Sequence, residues 1–318
     1  MPADSCSERL RAGGCQPEID REAEDMAIWM SNRKESDKNT DQSRTKQEKR
    51  LDYLLHEFKE DSVQYRDLET GEDYDEKRKY LRSLMNIRMP GPMDEDVVRV
   101  QDEFLAEEAK EKGIVELKDI PAAAEQYGSS HPYADKISVW QGDITRLHVG
   151  AIVNAANSQM LGCFVPCHGC IDNAIHSAAG IELREACSHY MNRKRMQYGR
   201  RYEEPTGQAV LTEGYNLPAE YVIHTVGPIV GGYLDQKLRN DLKNCYLNVL
   251  KCCVEHKIRS VAFCCISTGE FHFPNDEAAK IAVETVTEFL NEHSGEFDRV
   301  IFNVFKDIDK ELYENELR

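Results

Sequence analysis

Near Ile137 the hydrophobic period of this chain changes, and that change limits its possible folds more than any other feature. From there, short apolar runs recur at Ile137–Trp140, Ala151–Val153, Ala209–Leu211, Tyr221–Val226, Val261–Ile266 and Val300–Phe305. Runs of this kind, bounded by turn residues, read as strands. Helical patterns separate several of them: Ile171 to about Tyr190, Leu234 to about His256, Asp276 to about Glu292, and Ile308 to Leu317. Strands alternating with helices predict a three-layer α/β/α domain around a mixed, largely parallel sheet. That domain is expected over residues 127–318.

Residues 49–126 keep a helical spacing instead. Leu51, Leu54, Leu55 and Phe58 form one apolar stripe, and Tyr80, Leu81, Leu84 and Met85 form another. Met89-Pro90-Gly91-Pro92 breaks the pattern, and Asp94, Glu95 and Asp96 then place negative charge where a helix start favours it. This is a small helical extension. Residues 1–48 are polar and poor in aromatics, so they cannot bury enough apolar surface to offset their ordering entropy. They are expected to form a disordered or weakly ordered tail.

Charge narrows the range of partners. There are 57 acidic residues against 40 basic ones, a formal net charge of −17. That balance and the lack of an evident basic run oppose nucleic-acid binding, which depends on Lys and Arg neutralising phosphates. No apolar run approaches the roughly 18–20 residues needed to cross a bilayer, and the N-terminus has no apolar core of a secretory signal. The expectation is a soluble cytoplasmic protein, or a nuclear one in a eukaryotic cell. Its eleven cysteines then read as thiols, metal ligands or small buried hydrophobes.

Three loops stand at strand ends, where open α/β sheets bind ligands. The first, Gln141-Gly142-Asp143-Ile144-Thr145, offers a carboxylate and the Ile144 N–H; an ordinary Asp N-cap is the plainer reading. The second, Val153-Asn154-Ala155-Ala156-Asn157, sets two amides around small residues that permit close approach. The third, Ile266-Ser267-Thr268-Gly269-Glu270-Phe271, can present backbone N–H groups to a diphosphate.

Together with a helix beginning near Ile171-Asp172-Asn173-Ala174-Ile175-His176, the order of these loops resembles the macrodomain family over roughly residues 125–318. The resemblance implies an ADP-ribose pocket. Asp143 and Ile144 would meet adenine, Asn154 and Asn157 the distal ribose. Ser267, Thr268, Gly269, Glu270 and Phe271 would surround the phosphates and that ribose.

The segment between the second loop and its helix departs from the family. Many macrodomains are glycine-rich here, whereas this chain reads Gly162-Cys163-Phe164-Val165-Pro166-Cys167-His168-Gly169-Cys170 before Ile171-Asp172. Thiolates and imidazole at such spacing match the donor set of zinc. Cys167 and His168 are adjacent and converge awkwardly on one ion, so Cys163, His168 and Cys170 are the expected ligands. A structural zinc, or reduced thiols without metal, is the competing reading.

The cysteine loop resembles that of the microbial zinc-dependent protein-ADP-ribose hydrolases. Leu81-Arg82-Ser83-Leu84-Met85-Asn86-Ile87-Arg88-Met89-Pro90 and Gln101-Asp102 resemble the N-terminal extension of that branch, which widens the match to about 50–318. The resemblance implies removal of mono-ADP-ribose from acidic side chains of modified proteins. Asn157, Asp172 and Glu270 would be the catalytic residues, and a sirtuin-type transferase would be a partner. The alternatives are a non-catalytic ADP-ribose reader with a structural zinc, and an O-acetyl-ADP-ribose deacetylase. His176 and His224 read as core histidines.

Overall fold

The computed structural model describes residues 45–318. The expected tail therefore lies, up to residue 44, outside the described residues. The described chain divides into two compact units: residues 45–89 together with 164–168, and residues 90–163 together with 169–318.

In the first unit, helix α1 (Lys46–Asp61) opens on a capping box in which the Thr45 hydroxyl accepts from Glu48 N–H and the Glu48 carboxylate accepts from Thr45 N–H. Its Leu51, Leu54, Leu55 and Phe58 are buried, as are Tyr80, Leu81, Leu84 and Met85 of α2 (Tyr74–Ile87). These are the two expected stripes. Lys77 to Asp52 (2.7 Å) and Arg88 to Asp61 (2.8 Å) tie the two helices together outside their apolar contact.

The second unit begins with α3 (Glu95–Glu111), capped by Asp94. After a short strand β1 (Val115–Glu116) and helix α4 (Ala123–Tyr127), the strands are β2 (Ile137–Gln141), β3 (Leu147–His148), β4 (Ala151–Ala156), β5 (Ala209–Glu213), β6 (Tyr221–Val226), β7 (Ser260–Phe263) and β8 (Arg299–Val304). The helices are α5 (Ile171–Ala179), α6 (Ile181–Tyr198), α7 (Gln236–His256), α8 (Asn275–His293) and α9 (Asp307–Glu316). Six strands form one sheet in the order β2-β8-β7-β4-β6-β5. All pairs are parallel except β5 with β6, so the sheet is mixed, with helices flanking it, as the alternation predicts. The inner strands β4 and β8 are buried almost throughout, which is why they read as continuous apolar runs. The core is completed by Tyr246, Phe263, Phe302 and Tyr313, packed at a tilt with successive ring centroids 5.0, 6.4 and 4.8 Å apart.

Several boundaries differ from the sequence reading. The helix expected from Ile171 to Tyr190 is two helices, broken at Gly180, whose φ of 100° no other residue adopts without strain. The strand expected to end at Val153 continues to Ala156, so Asn154 is a ladder residue opposite His224 rather than a loop residue. The strands expected to reach Ile266 and Phe305 end at Phe263 and Val304, which frees the residues after them for loops.

The break at Gly180 is filled by α3. Gln101, fully buried, accepts from Ile181 N–H (3.0 Å) and donates to Glu182 (2.8 Å), while Asp102 accepts from Asn216 (2.7 Å). The first turn of α6 is thus capped from another helix. Burial pushes the Glu182 carboxyl up to about 7; the Gln101 hydrogen bond opposes that and neighbouring Asp102 adds to it. A carboxyl raised in the folded state gives stability that is present below its unfolded range and lost as pH rises through about 7. The melting temperature should fall by on the order of 2–4 °C across that window, and Glu182→Gln should flatten the fall when thermal unfolding is followed against pH.

Candidate active site

Because five of the six strands run parallel, the loops after β2, β8, β7, β4 and β6 emerge at one edge of the sheet. The three loops picked out in the sequence follow β2, β4 and β7. From β2 to β4 is three strand steps, roughly 14 Å, with the β7 loop between them. This is a long, shallow edge suited to an extended ligand with distinct ends.

At one end, Asp143 caps a single helical turn: its Oδ1 accepts from Thr145 N–H (3.0 Å) and the Thr145 hydroxyl (2.7 Å). The plainer reading of Asp143 is therefore realised, and the carboxylate stays half-exposed with its other oxygen available. Ile144 is buried beside it. Asn303 of β8 donates to the Gly142 carbonyl (2.9 Å) and fixes the turn. The residue after β8, Phe305, is 77% exposed at the same edge. Sequence reasoning missed it by counting it inside the strand.

In the middle, Ser267 follows β7 with φ 65° and is buried, its hydroxyl without a hydrogen-bond partner among the described residues. The turn is closed by Phe273 N–H to the Ser267 carbonyl (2.9 Å) and His272 N–H to the Gly269 carbonyl (3.0 Å). Val230 N–H donates to the Phe271 carbonyl (2.9 Å), tying in the loop after β6. Thr268 is held to Cys265, Gly269 faces open space and Glu270 is exposed. A buried unpaired hydroxyl beside an uncovered glycine backbone is an arrangement that favours an anion. Gly227, at the end of β6, makes it possible: a Cβ there would stand 2.1 Å from the Ser267 hydroxyl.

At the other end, one carboxylate organises the site. Asp172, on the first turn of α5, is buried. Its Oδ1 accepts from Asn154 (2.8 Å) and its Oδ2 from Asn157 (3.4 Å). Asn157 also donates to the Gly162 carbonyl (3.1 Å) and accepts from Gln159 N–H (3.0 Å). Burial pushes Asp172 up to about 7, against the Asn154 amide and the Arg184 charge, while Cys163 raises it further. Arg184 of α6 was not singled out in the sequence. It is buried and donates to the carbonyls of Leu161 (2.7 Å) and Cys163 (3.4 Å), so it holds the start of the cysteine loop.

In that loop the ligand atoms of Cys163, His168 and Cys170 all lie within 4.8 Å of one another, and all three residues are half-buried. Cys167 faces elsewhere: its Sγ is 3.2 Å from the Ser83 hydroxyl and its N–H donates to Asn86 (2.9 Å). Two sulfurs and one imidazole at this spacing fit a zinc ion with a position left open. Cys170 also caps α5, accepting from Asn173 N–H (3.4 Å). Its thiol is raised by the Cys163 hydrogen bond first and by burial second, a state that a bound cation would invert.

Beneath Asp172 lies a second donor group, His176, Cys187 and His224, also within 4.8 Å and fully buried. His224 is engaged through both ring nitrogens, with Asn154 (3.0 Å) and Thr212 (3.0 Å), and burial holds it down at about 3. His176 is likewise neutral, held well below its usual range by burial, so its 3.5 Å approach to Asp172 is not an ion pair. These residues are packed beneath Asp172 and present no ligand atom to the open edge.

The comparisons with known proteins agree with this geometry. A family model described as the Macro domain matches residues 153–282. A protein-ADP-ribose hydrolase of Treponema medium is 42% identical over 85% of this chain and 98% of its own length. A Staphylococcus aureus protein of the same name is 41% identical over 84% and 95%, and a mouse ADP-ribose glycohydrolase is 38% identical over 79% and 72%. Among solved structures, a Trypanosoma brucei macrodomain in complex with ADP-ribose superposes with a TM-score of 0.55 at 28% identity, over 73% of this chain and 94% of its own. An Oceanobacillus iheyensis macrodomain variant with ADPR gives 0.52 at 37% identity, over 57% and 92%.

The Gly227–Ser267 contact makes a direct prediction. Gly227→Ala should lower the unfolding free energy by about 1–3 kcal/mol through overpacking, measured by denaturant titration. Unchanged stability would mean that the Ser267 loop yields freely.

Proposed function

Since the chain belongs to the macrodomain family, we propose that it binds ADP-ribose along this edge and hydrolyses mono-ADP-ribose from acidic side chains of modified proteins. The observation that carries the reading is the adjacency of Asn157 and Asp172 to a loop in which three zinc-type donors converge. The adenine would lie by Asp143, Ile144 and Phe305, the diphosphate on the Ser267–Phe271 loop, and the distal ribose by Asn157. The strand order supports this, because the loops occur along the edge in that sequence.

The reaction breaks the bond between ribose C1″ and the acceptor carboxylate oxygen. Water supplies the new oxygen at C1″, and one of its protons ends on the released carboxylate or in solvent. Asn157 holds a ribose hydroxyl through its amide, and Asp172 fixes that amide from below, as it fixes Asn154. Asp172 and Asn154 are therefore positioning residues. Glu270, exposed on the loop after β7, is the carboxylate that would take the proton from water. Cys163, His168 and Cys170 would hold the zinc. When bound, zinc supplies a Lewis acid that polarises oxygen and lowers the pKa of water toward neutrality. The similarity to proteins named protein-ADP-ribose hydrolase supports the hydrolase over a reader. A sirtuin-type transferase is the class of enzyme that this reading implies for installing the mark.

Release of ADP-ribose from a mono-ADP-ribosylated protein tests the reading. Release should stop on chelation and return with zinc, and Cys170→Ala should abolish it in a folded chain. Asn157→Ala should lower kcat/KM by roughly 100-fold through lost positioning. Tight ADP-ribose binding with no release from any acceptor would make the protein a reader. Release from O-acetyl-ADP-ribose alone would make it a deacetylase.

A further inference from the structure

The net charge of −17 conceals a local reversal. From Asn192 to Tyr202, across the end of α6 and the turn after it, the chain carries Arg193, Lys194, Arg195, Arg200 and Arg201 and no acidic residue. This corrects the expectation of no evident basic run, which followed the total charge. Among the described residues none of these five cations is ion-paired, whereas Lys77, Arg88, Arg99, Lys237, Arg239, Lys243 and Arg259 all are. In a chain with such an excess of carboxylates, five neighbouring unpaired cations are a positive field kept open to solvent.

The patch has apolar content and a fixed shape. Met196 is 87% and Tyr198 60% exposed. Tyr198 stacks on Tyr202 with centroids 5.3 Å apart, and the Lys194 ammonium lies 5.3 Å from the Tyr190 ring centroid and 5.6 Å from that of Tyr198. It is also wired to the ribose end of the site. Arg195 donates to the side-chain Oε1 of Gln159 (2.8 Å), and the Gln159 backbone N–H donates to Asn157 Oδ1 (3.0 Å). The surface therefore borders the loop from which, on the proposed reading, the acceptor side chain leaves C1″.

We infer that Arg193–Arg201 is the docking surface for the acceptor, and that the substrate is a protein whose modified residue lies in an acidic segment. This rests on the proposed hydrolase reading and names the substrate class for it. An acidic partner is repelled by the net charge of −17 and attracted at this patch, which steers the modified residue toward Asn157. A nucleic-acid strand is the less suitable occupant. Its longer polyanionic backbone would run past the patch onto acidic surface, and the tyrosine rings are already stacked on each other and on Lys194.

The test uses two synthetic peptides bearing one ADP-ribosylated glutamate, one flanked by Asp and Glu, the other by Asn and Gln. The full chain should cleave the acidic peptide with a kcat/KM about ten-fold higher at low salt, the difference residing in KM and shrinking as salt is added. In Arg193→Glu/Arg200→Glu/Arg201→Glu the preference should vanish while the neutral peptide is cleaved as before. That second rate also reports correct folding; if it falls, the Arg→Gln triple variant takes its place. Equal rates on both peptides, or a preference that survives the triple change, would overturn the inference. If neither peptide is cleaved, the hydrolase reading fails, and the same preference must then appear in binding, read by fluorescence anisotropy, for the docking surface to stand. A single-stranded oligonucleotide that binds more tightly than the acidic peptide, and is lost in the triple variant, would overturn it in favour of nucleic acid.

Discussion

A buried carboxylate flanked by two asparagines holds one end of the loop-bearing sheet edge together. Asp172 joins the first turn of α5 to Asn154 inside β4 and to Asn157 just beyond it. Removing a carboxylate from water is costly, and here amide donors, a helix N-terminus and the nearby Arg184 offset that cost. The return is positional. Asn157 leaves the strand with its amide already directed, and it sits at the mouth of the cysteine loop through its bond to Gly162. Removing Asp172 would release the strand, the helix and the loop from one another at the same point.

The rest of the site relies on similar close fits between segments distant in sequence. Gln101 of α3 caps α6 from outside, which keeps Arg184 where it can hold Leu161 and Cys163. Gly227 gives Ser267 the space to sit buried in a left-handed conformation. Asn303 holds the Gly142 turn against β8. Each of these is a polar or steric constraint at the edge of a well-packed sheet. The core supplies stability, and the edge supplies a row of differently shaped loops.

Much of this was legible in the chain itself. Alternation of short apolar runs with helical patterns identified every strand of the main sheet, because buried parallel strands must be apolar on both faces. The cysteine loop was legible because metal donors are few in kind and their spacing is local. Asn154 was placed in a loop because a buried asparagine in a strand is unusual, and only the partners Asp172 and His224 explain it. Gly180 was read through as part of one helix, since its break is stabilised by Gln101, which is 79 residues earlier in the chain. Phe305 looked like strand until β8 was seen to stop one residue short. The basic cluster was plain in the sequence but hidden by the sign of the total charge.

The central claim, that zinc in the Cys163–Cys170 loop stands beside the distal ribose, is tested most directly by anomalous diffraction at the zinc edge from crystals holding ADP-ribose. A single peak enclosed by Cys163, His168 and Cys170, with a ribose hydroxyl held by Asn157 as its neighbour, is the predicted result. A loop with no peak, or a peak whose fourth position is closed by Cys167 and remote from the ribose, would contradict it.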